Sequence, residues 1–408
     1  MNSYFGRVSY GLKDKYLLTG TLRVDGSSRF GKNNKYGTFP SAGLGWIMSH
    51  EDFMKGTSSW LDNFKIHTSY GRTGNTEIDP YRSLALIEAK TTLINGSRQA
   101  TGQMNRMPNP DLEWEKTDQF DVGINLNMFR NRVNVELDYY YKITDDLLLE
   151  RPLPFTTGFE NVWENMGRVD NSGIDFLLNT INIDTKDFTW ESTLNLNYNK
   201  NEIKRLGENN EDIITNPGFV GGNIILRVGE SLSSFYGYER LGIWGTDEAE
   251  EAAKVNAVPG EAKRSKERTI TGNGMPKVTG SFINKFYYKN FDLLVDLQFV
   301  TGVDTWQLFF HSAEDRTGIA NGLNTILYDG WTETNQNTMV QQIRQQNYSG
   351  QNSTSDSHWV ANGAYLRGNL LQLGYAFDSK LINKWKMQNM RVNFSVSNAF
   401  LIHSKDFK

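Results

Sequence analysis

The side chains able to do covalent chemistry are few and poorly spaced for it. The five histidines are His50, His67, His311, His358 and His403, and no two fall within one helical turn. An HExxH-type zinc pair is therefore absent from the sequence. There is no Gly-x-Ser-x-Gly turn to present a nucleophilic serine. Cysteine is missing altogether, which excludes disulfides, thiolate metal sites and cysteine nucleophiles together. The glycine-rich pieces Gly218 to Gly222 and Gly272 to Gly274 lack the Lys-Ser/Thr of a phosphate loop and read as turns. Asp145 and Asp146 form a local charge run that water can solvate. The expectation is a protein without catalysis, cofactor or metal.

Polar side chains recur instead at every second position. Asp121, Asn125 and Asn127 interleave with Phe120, Val122, Ile124, Leu126 and Met128, and Glu136 and Asp138 interleave with Val133, Val135, Leu137, Tyr139 and Tyr141. Asp292, Asp296 and Gln298 alternate with Phe291, Leu293, Val295, Leu297 and Phe299, and Arg391, Asn393, Ser395 and Ser397 share one parity near the C-terminus. Such a row binds polar ligands by hydrogen bonding along one wet face. Aromatic rings in the connections, Trp163, Tyr236, Tyr238, Trp244, Trp306, Trp331 and Trp359, could stack on a sugar or on a partner protein. Ordinary loop packing accounts for them equally.

The elements that hold these residues are β-strands, because alternation of period two over such lengths means strand. Further candidates are Ser3 to Leu12, Tyr16 to Asp25, Phe39 to Ile47, Leu61 to Arg72, Arg168 to Ile181, Phe188 to Ile203, Val278 to Tyr288, Tyr365 to Phe377 and Met390 to Phe400. In all there are about twelve strands of roughly ten residues, the length that a tilted strand needs to cross a bilayer. Short connections (Lys13 to Lys15, Met48 to Trp60, Phe129 to Arg132, Asn182 to Asp187, Lys289 to Asn290, Asp378 to Asn389) alternate with long ones (Gly26 to Thr38, Thr73 to Trp114, Ile143 to Gly167, Lys204 to Lys277, Trp306 to Ala364), although Gly26 to Thr38 and Met48 to Trp60 are equal in length and that pair decides nothing. An up-and-down barrel puts every second connection on the same rim, and outer-membrane barrels have short periplasmic turns and long external loops. The expected fold is therefore all-β, a transmembrane antiparallel β-barrel, with residues 204–277 and 306–364 as its longest extracellular loops. Within the first, Asp247 to Val255 has helical propensity and an acidic start. Gln336 to Thr354, rich in Gln, Asn and Ser and without apolar periodicity, reads as mobile or disordered loop.

Composition agrees. Mean hydropathy is -0.54, yet the chain holds 10 Trp, 18 Tyr and 23 Phe, as expected where one strand face is apolar and the other wet. Forty-three basic against 47 acidic residues give a net charge of -4, which disfavours a nucleic-acid partner.

Several segments in order resemble the SusC/RagA family of TonB-linked outer-membrane transporters. They include DGSSRFG (Asp25 to Gly31), LEWEKTDQFDVGIN (Leu112 to Asn125), NMGRVDNSGIDFLLNT (Asn165 to Thr180), PKVTGSFINKFYYKNFDL (Pro276 to Leu293) and YLRGNLLQLGYAFD (Tyr365 to Asp378). The resemblance implies a plugged barrel of about 22 strands, of which residues 1–408 supply roughly strands ten to twenty-one, without signal peptide, plug, early strands or last strand. It also implies TonB as energy source through the N-terminal part, a SusD-like surface lipoprotein as lid, a setting in outer-membrane lipid of a Bacteroidetes-type Gram-negative bacterium, and import of an oligosaccharide or peptide. Asp121, Asn125, Asp292, Asp296 and Arg391 are then lumen candidates for substrate binding, and Trp163, Trp244 and Trp306 loop candidates. Where many relatives carry an acidic calcium-type segment, this chain runs EAKRSKERTITGNG from Glu261 to Gly274, so no metal is expected there. A soluble or surface glycan-binding β-protein, or a passive porin, are the alternatives.

Overall fold

The twelve alternating segments form twelve strands of one sheet in the computed structural model. It describes residues 1–31, 33–85, 87–104, 107–159, 161–215, 223–310, 313–314, 321–343, 356–405 and 407. The strands are β1 (Asn2–Leu12), β2 (Tyr16–Gly26), β3 (Tyr36–Ile47), β4 (Leu61–Asn75), β5 (Glu115–Met128), β6 (Val133–Asp145), β7 (Arg168–Asp184), β8 (Phe188–Arg205), β9 (Val278–Tyr288), β10 (Phe291–Thr301), β11 (Tyr365–Ala376) and β12 (Arg391–His403). Their order in the sheet is their order in the chain, the topology that hairpin succession dictates. Most run past the expected ten residues, and β8 reaches 18, because pairing continues beyond the membrane span into the bases of the loops. Among the described residues no helix is long and apolar enough to cross a membrane.

Register follows from the tight reversals. Lys13 and Asp14 between β1 and β2, Phe129, Arg130 and Asn131 between β5 and β6, and Lys289 between β9 and β10 all have positive φ, from 52° to 60°. Tight hairpins whose twist matches their strands require that conformation. At the same rim Glu51 clamps two neighbouring turns. Its carboxylate accepts hydrogen bonds from Lys15 Nζ (2.8 Å), Tyr16 Oη (2.7 Å) and Trp46 Nε1 (3.1 Å). These partners, Lys15 first, hold its pKa down to about 2.

Contacts divide the chain into two units, 1–211 with 280–297 and 368–399, and 212–279 with 298–367 and 400–408. In the first, three long connections share a small core of Phe30, Phe39, Ile78, Leu112 and Trp114, with Leu148 and Trp163 packed against it. Two loop hairpins lie here, Ile87–Ile94 with Ser97–Met104, and Leu148–Pro152 with Asn161–Asn165. In the second unit, a four-stranded sheet forms from Ile213–Thr215, Asn223–Leu226, Ser234–Ile243 and Ala262–Asn273, all within the long connection 204–277. The expected helix is present as Ala249–Lys254, preceded by Glu248, whose carboxylate is kept below its usual range by Lys263 and by the Gly245 N–H. The segment lacking a calcium pattern is the last strand of that sheet. Ile243, Ala262 and Trp331 form one loop core, and Phe310 and Trp359, with Trp306 and Leu323, another. His311, residues 218–222 and residues 344–354 of the Gln-rich stretch lie outside the described residues.

Candidate site on the polar face of the sheet

Backbone pairing aligns the polar positions into rows across β4 to β8. Lys65 lies opposite Asn125, and Asn125 opposite Glu136. One step along, His67 faces Gly123, Gly123 faces Asp138, Asp138 faces Asp175, and Asp175 faces Asn197. The next row runs Ser69, Asp121, Tyr140, Gly173 and Asn199. The opposite face is apolar and exposed, with Phe120 at 46%, Tyr139 at 44% and Ile174 at 43% of full accessibility. One face dry and open, the other polar and hydrogen-bonded, is the signature of a wall between lipid and a wet lumen.

Two of these rows share a device. His67 Nε2 donates to Asp138 Oδ1 at 2.7 Å although β5 lies between their strands. The contact passes over Gly123, where an added Cβ would come within 1.9 Å of Asp138 Oδ1 and 2.7 Å of His67 Cε1. Tyr140 Oη likewise donates to Asn199 Oδ1 at 2.9 Å, over Gly173, whose Cβ would sit 2.3 Å from that hydroxyl. A third case joins two expected site residues. Arg391 on β12 pairs with Asp292 on β10, and a Cβ on Gly374 would lie 2.4 Å from Asp292 Oδ1 and 2.7 Å from Arg391 Nη2. In each case a glycine on the middle strand lets side chains from the strands on either side meet.

The reach of His67 also answers an electrostatic problem. Asp138 and Asp175 are directly opposed, and like charges so placed repel. Each turns to a partner on its far side, Asp138 to His67 and Asp175 to Asn197 Nδ2, 2.5 Å away. Of the other lumen candidates, Asp121 accepts from Ser69 Oγ (3.0 Å) and Gln119 Nε2 (2.7 Å). Asp296 accepts from Asn369 Nδ2 at 2.6 Å. Asn125 stands between Lys65 and Glu136 in register. The structure thus joins Asp292 to Arg391 directly, while Asp121 and Asp296 each sit in a separate local network and Asn125 is placed by register between Lys65 and Glu136. Sequence reasoning passed over His67, Asp175 and Asn197; the signal available was an isolated glycine at an inward strand position, which marks a close approach of neighbouring groups.

The loop rings have neighbours of their own. Trp163 packs against the first unit's loop core, with the Arg82 guanidinium 5.3 Å from its ring. Lys263 Nζ lies 4.7 Å from the Trp244 ring. Trp306 packs on Phe310 and Trp359 and lies 6.1 Å from Phe235. Arg227 and Arg268 lie against Tyr236 and Tyr238. Trp331 and Trp359 are 3% and 0% exposed, and both serve as loop core. Among the described residues no group of three or more His, Asp or Glu could hold a metal ion.

Comparison with known proteins follows the same line. Residues 1–399 match the family described as TonB dependent receptor-like, beta-barrel. TonB-dependent receptor P26 of Formosa agariphila is 34% identical over 98% of this chain and 41% of its own length. TonB-dependent receptor SusC of Bacteroides thetaiotaomicron is 30% identical over 98% of this chain and 40% of its own. The structure of the RagAB peptide transporter superposes with a TM-score of 0.81 at 27% identity, covering 99% of this chain and 44% of that one. The chain spans about two-fifths of the curated relatives it matches. With the sheet order, the two-faced wall and this match in agreement, the chain belongs to the TonB-dependent receptor-like β-barrel family, whose place is the outer membrane, and it is similar there to SusC and to the RagAB transporter.

Proposed function

We propose that this chain forms wall and external loops of an importer that draws a large nutrient, an oligosaccharide or a peptide, across the outer membrane with energy delivered through TonB and with a SusD-like lipoprotein as lid. The observation that carries the reading is the match along residues 1–399 to receptor barrels, joined to a sheet whose inward face is predominantly polar. Residues 1–408 are then all barrel domain, with 204–277 and 306–364 as extracellular loops. In this reading Asp121, Asn125, Asp292, Asp296 and Arg391 line the cargo's path, where charged and amide groups can exchange hydrogen bonds with a hydrated solute. Trp163, Trp244 and Trp306 stiffen the mouth and offer ring edges to cargo or lid. No step here makes or breaks a covalent bond of the cargo, so the chain is read as a transporter and not as an enzyme.

The test is uptake of labelled oligosaccharides and peptides by cells carrying the intact protein, with and without TonB. Loss of uptake on TonB deletion, restored by TonB in trans, is expected. Uptake that persists without TonB overturns the reading in favour of a passive pore.

A further inference from the structure

The apolar face of β6, β7 and β8 changes character sharply toward the long-loop rim. Leu137 and Tyr139, Ile174, and Tyr198 are exposed. Continuing along the same face come Tyr141, Asp145, Arg168, Asp170, Glu202 and Lys204. From Thr180 to Asp170 is about 33 Å of strand, which at a tilt near 45° spans roughly 25 Å, the height of the apolar band on such barrels. Arg168 and its neighbours therefore stand at headgroup depth.

A cavity of about 420 Å³ opens there, lined by Asp145, Arg168, Asp170, Lys204 and Arg205. Its geometry fits an anion. Arg168 is fixed by Asp170, which accepts from its Nε at 2.8 Å and Nη2 at 3.1 Å, and Tyr141 donates to the same carboxylate. Arg205 lies opposite Arg168 in the pairing of β7 and β8, an unfavourable juxtaposition of like charges. Its link to Asp145 is long, 3.7 Å, and its side chain is 54% exposed. Lys204 is paired with Glu202 at 2.6 Å, and Glu202 also takes Lys200 at 2.8 Å; counting both, four cations face three carboxylates and the cluster stays net positive. Guanidinium groups suit phosphate because their forked donors match its oxygens.

We propose that this cavity holds the phosphate of an outer-leaflet lipid, a phosphorylated glycolipid whose acyl chains lie down the Ile174 and Tyr198 face. Arg205 and Lys204 supply the adaptable contacts, and Arg168, braced by Asp170, the fixed one. The apolar band leading directly into the cavity favours a lipid over a free ion, since only a lipid occupies both. The site lies on the outer wall and is independent of what the lumen carries.

The experiment is native mass spectrometry of the intact protein in detergent, titrated with lipid A, with lipid A stripped of phosphate, and with inorganic phosphate. The expected result is retention of lipid A, with about tenfold weaker binding both for the dephosphorylated lipid and for the Lys204→Glu, Arg205→Glu double variant. Heat-modifiable gel mobility reports whether that variant folds; if it does not, the milder Arg205→Gln at an exposed position replaces it, with weakened lipid A binding still expected. Equal binding of lipid A by parent and variant, or equal binding of the dephosphorylated lipid, overturns the proposal. Competition by inorganic phosphate at concentrations equal to lipid A assigns the cavity to free anion and overturns the lipid assignment.

Discussion

Replacing Gly123 with alanine tests the reading of the polar face most directly, because the expected sign opposes the general rule. A glycine replaced by alanine at a compatible backbone position ordinarily stabilises by ~0.4–1 kcal/mol, by restricting the unfolded chain. At Gly123 the new Cβ would stand 1.9 Å from Asp138 Oδ1 and 2.7 Å from His67 Cε1, so the 2.7 Å hydrogen bond between them must open. A hydrogen bond to a charged group contributes ~1.5–3 kcal/mol when well formed. The two side chains are 26% and 30% exposed, which reduces that to ~1–2 kcal/mol. After the entropic gain, Gly123→Ala is expected to destabilise by ~1 kcal/mol. Gly20 on β2 provides the control, since nothing lies within 4 Å of its Cβ position; Gly20→Ala should stabilise slightly. Urea unfolding of the intact protein in lipid vesicles measures both. In a His67→Ala background Asp138 is free to turn away, so the cost of Gly123→Ala should fall by ~1 kcal/mol, read as a double-mutant coupling. If Gly123→Ala stabilises as Gly20→Ala does, or the coupling is zero, contact across the middle strand contributes nothing and the reasoning fails.

The remaining predictions concern the two rims and the last strands. Because the Glu51 carboxyl titrates at about 2 in the folded chain, below its ordinary value of 4.5, its stabilisation is complete above the unfolded value and is lost as pH falls from 4.5 toward 2. Glu51→Gln should remove that part of the acid dependence of the unfolding midpoint; an unchanged profile would rule out the clamp. Asp356, wholly buried, accepts from Arg240 (2.8 Å) and Arg264 (2.7 Å), and removing one member of such a group strands buried charge at ~3–5 kcal/mol. Asp356→Ala should therefore open residues 212–279 and 298–367 to limited proteolysis while gel mobility still reports a folded barrel. Gly374→Ala should break the Asp292 to Arg391 pair and destabilise β10 to β12, with a small effect of ~0–1 kcal/mol because Arg391 is largely exposed; a clear gain in stability would contradict it.

The twelve sheet strands were legible because each pairs a dry face with a wet one, so burial writes period two into residues such as those from Phe120 to Met128. The loop sheets were not, since strands like Ile213–Thr215 are three residues long and have no lipid face to enforce alternation. Asp292 and Arg391 were readable as inward by parity, but not as a pair, because their meeting depends on register and on Gly374 between them. The same holds for His67 and Asp138, which are 71 residues apart. Trp163 was recognisable as a loop ring, whereas the Arg82 side chain against it depends on how residues 76–114 fold back.

A contact that skips a strand couples two hydrogen-bonded seams at once. For β5 to slide by one residue against β4 or β6, the row through Gly123 must come apart, and the row through Gly173 ties β6 to β8 in the same manner. The wall is thus trussed like a girder, stiff in shear between strands yet free to flex along them. A pull transmitted from inside the membrane would then load the sheet as one plate, spreading over many seams a force that could unzip any single one.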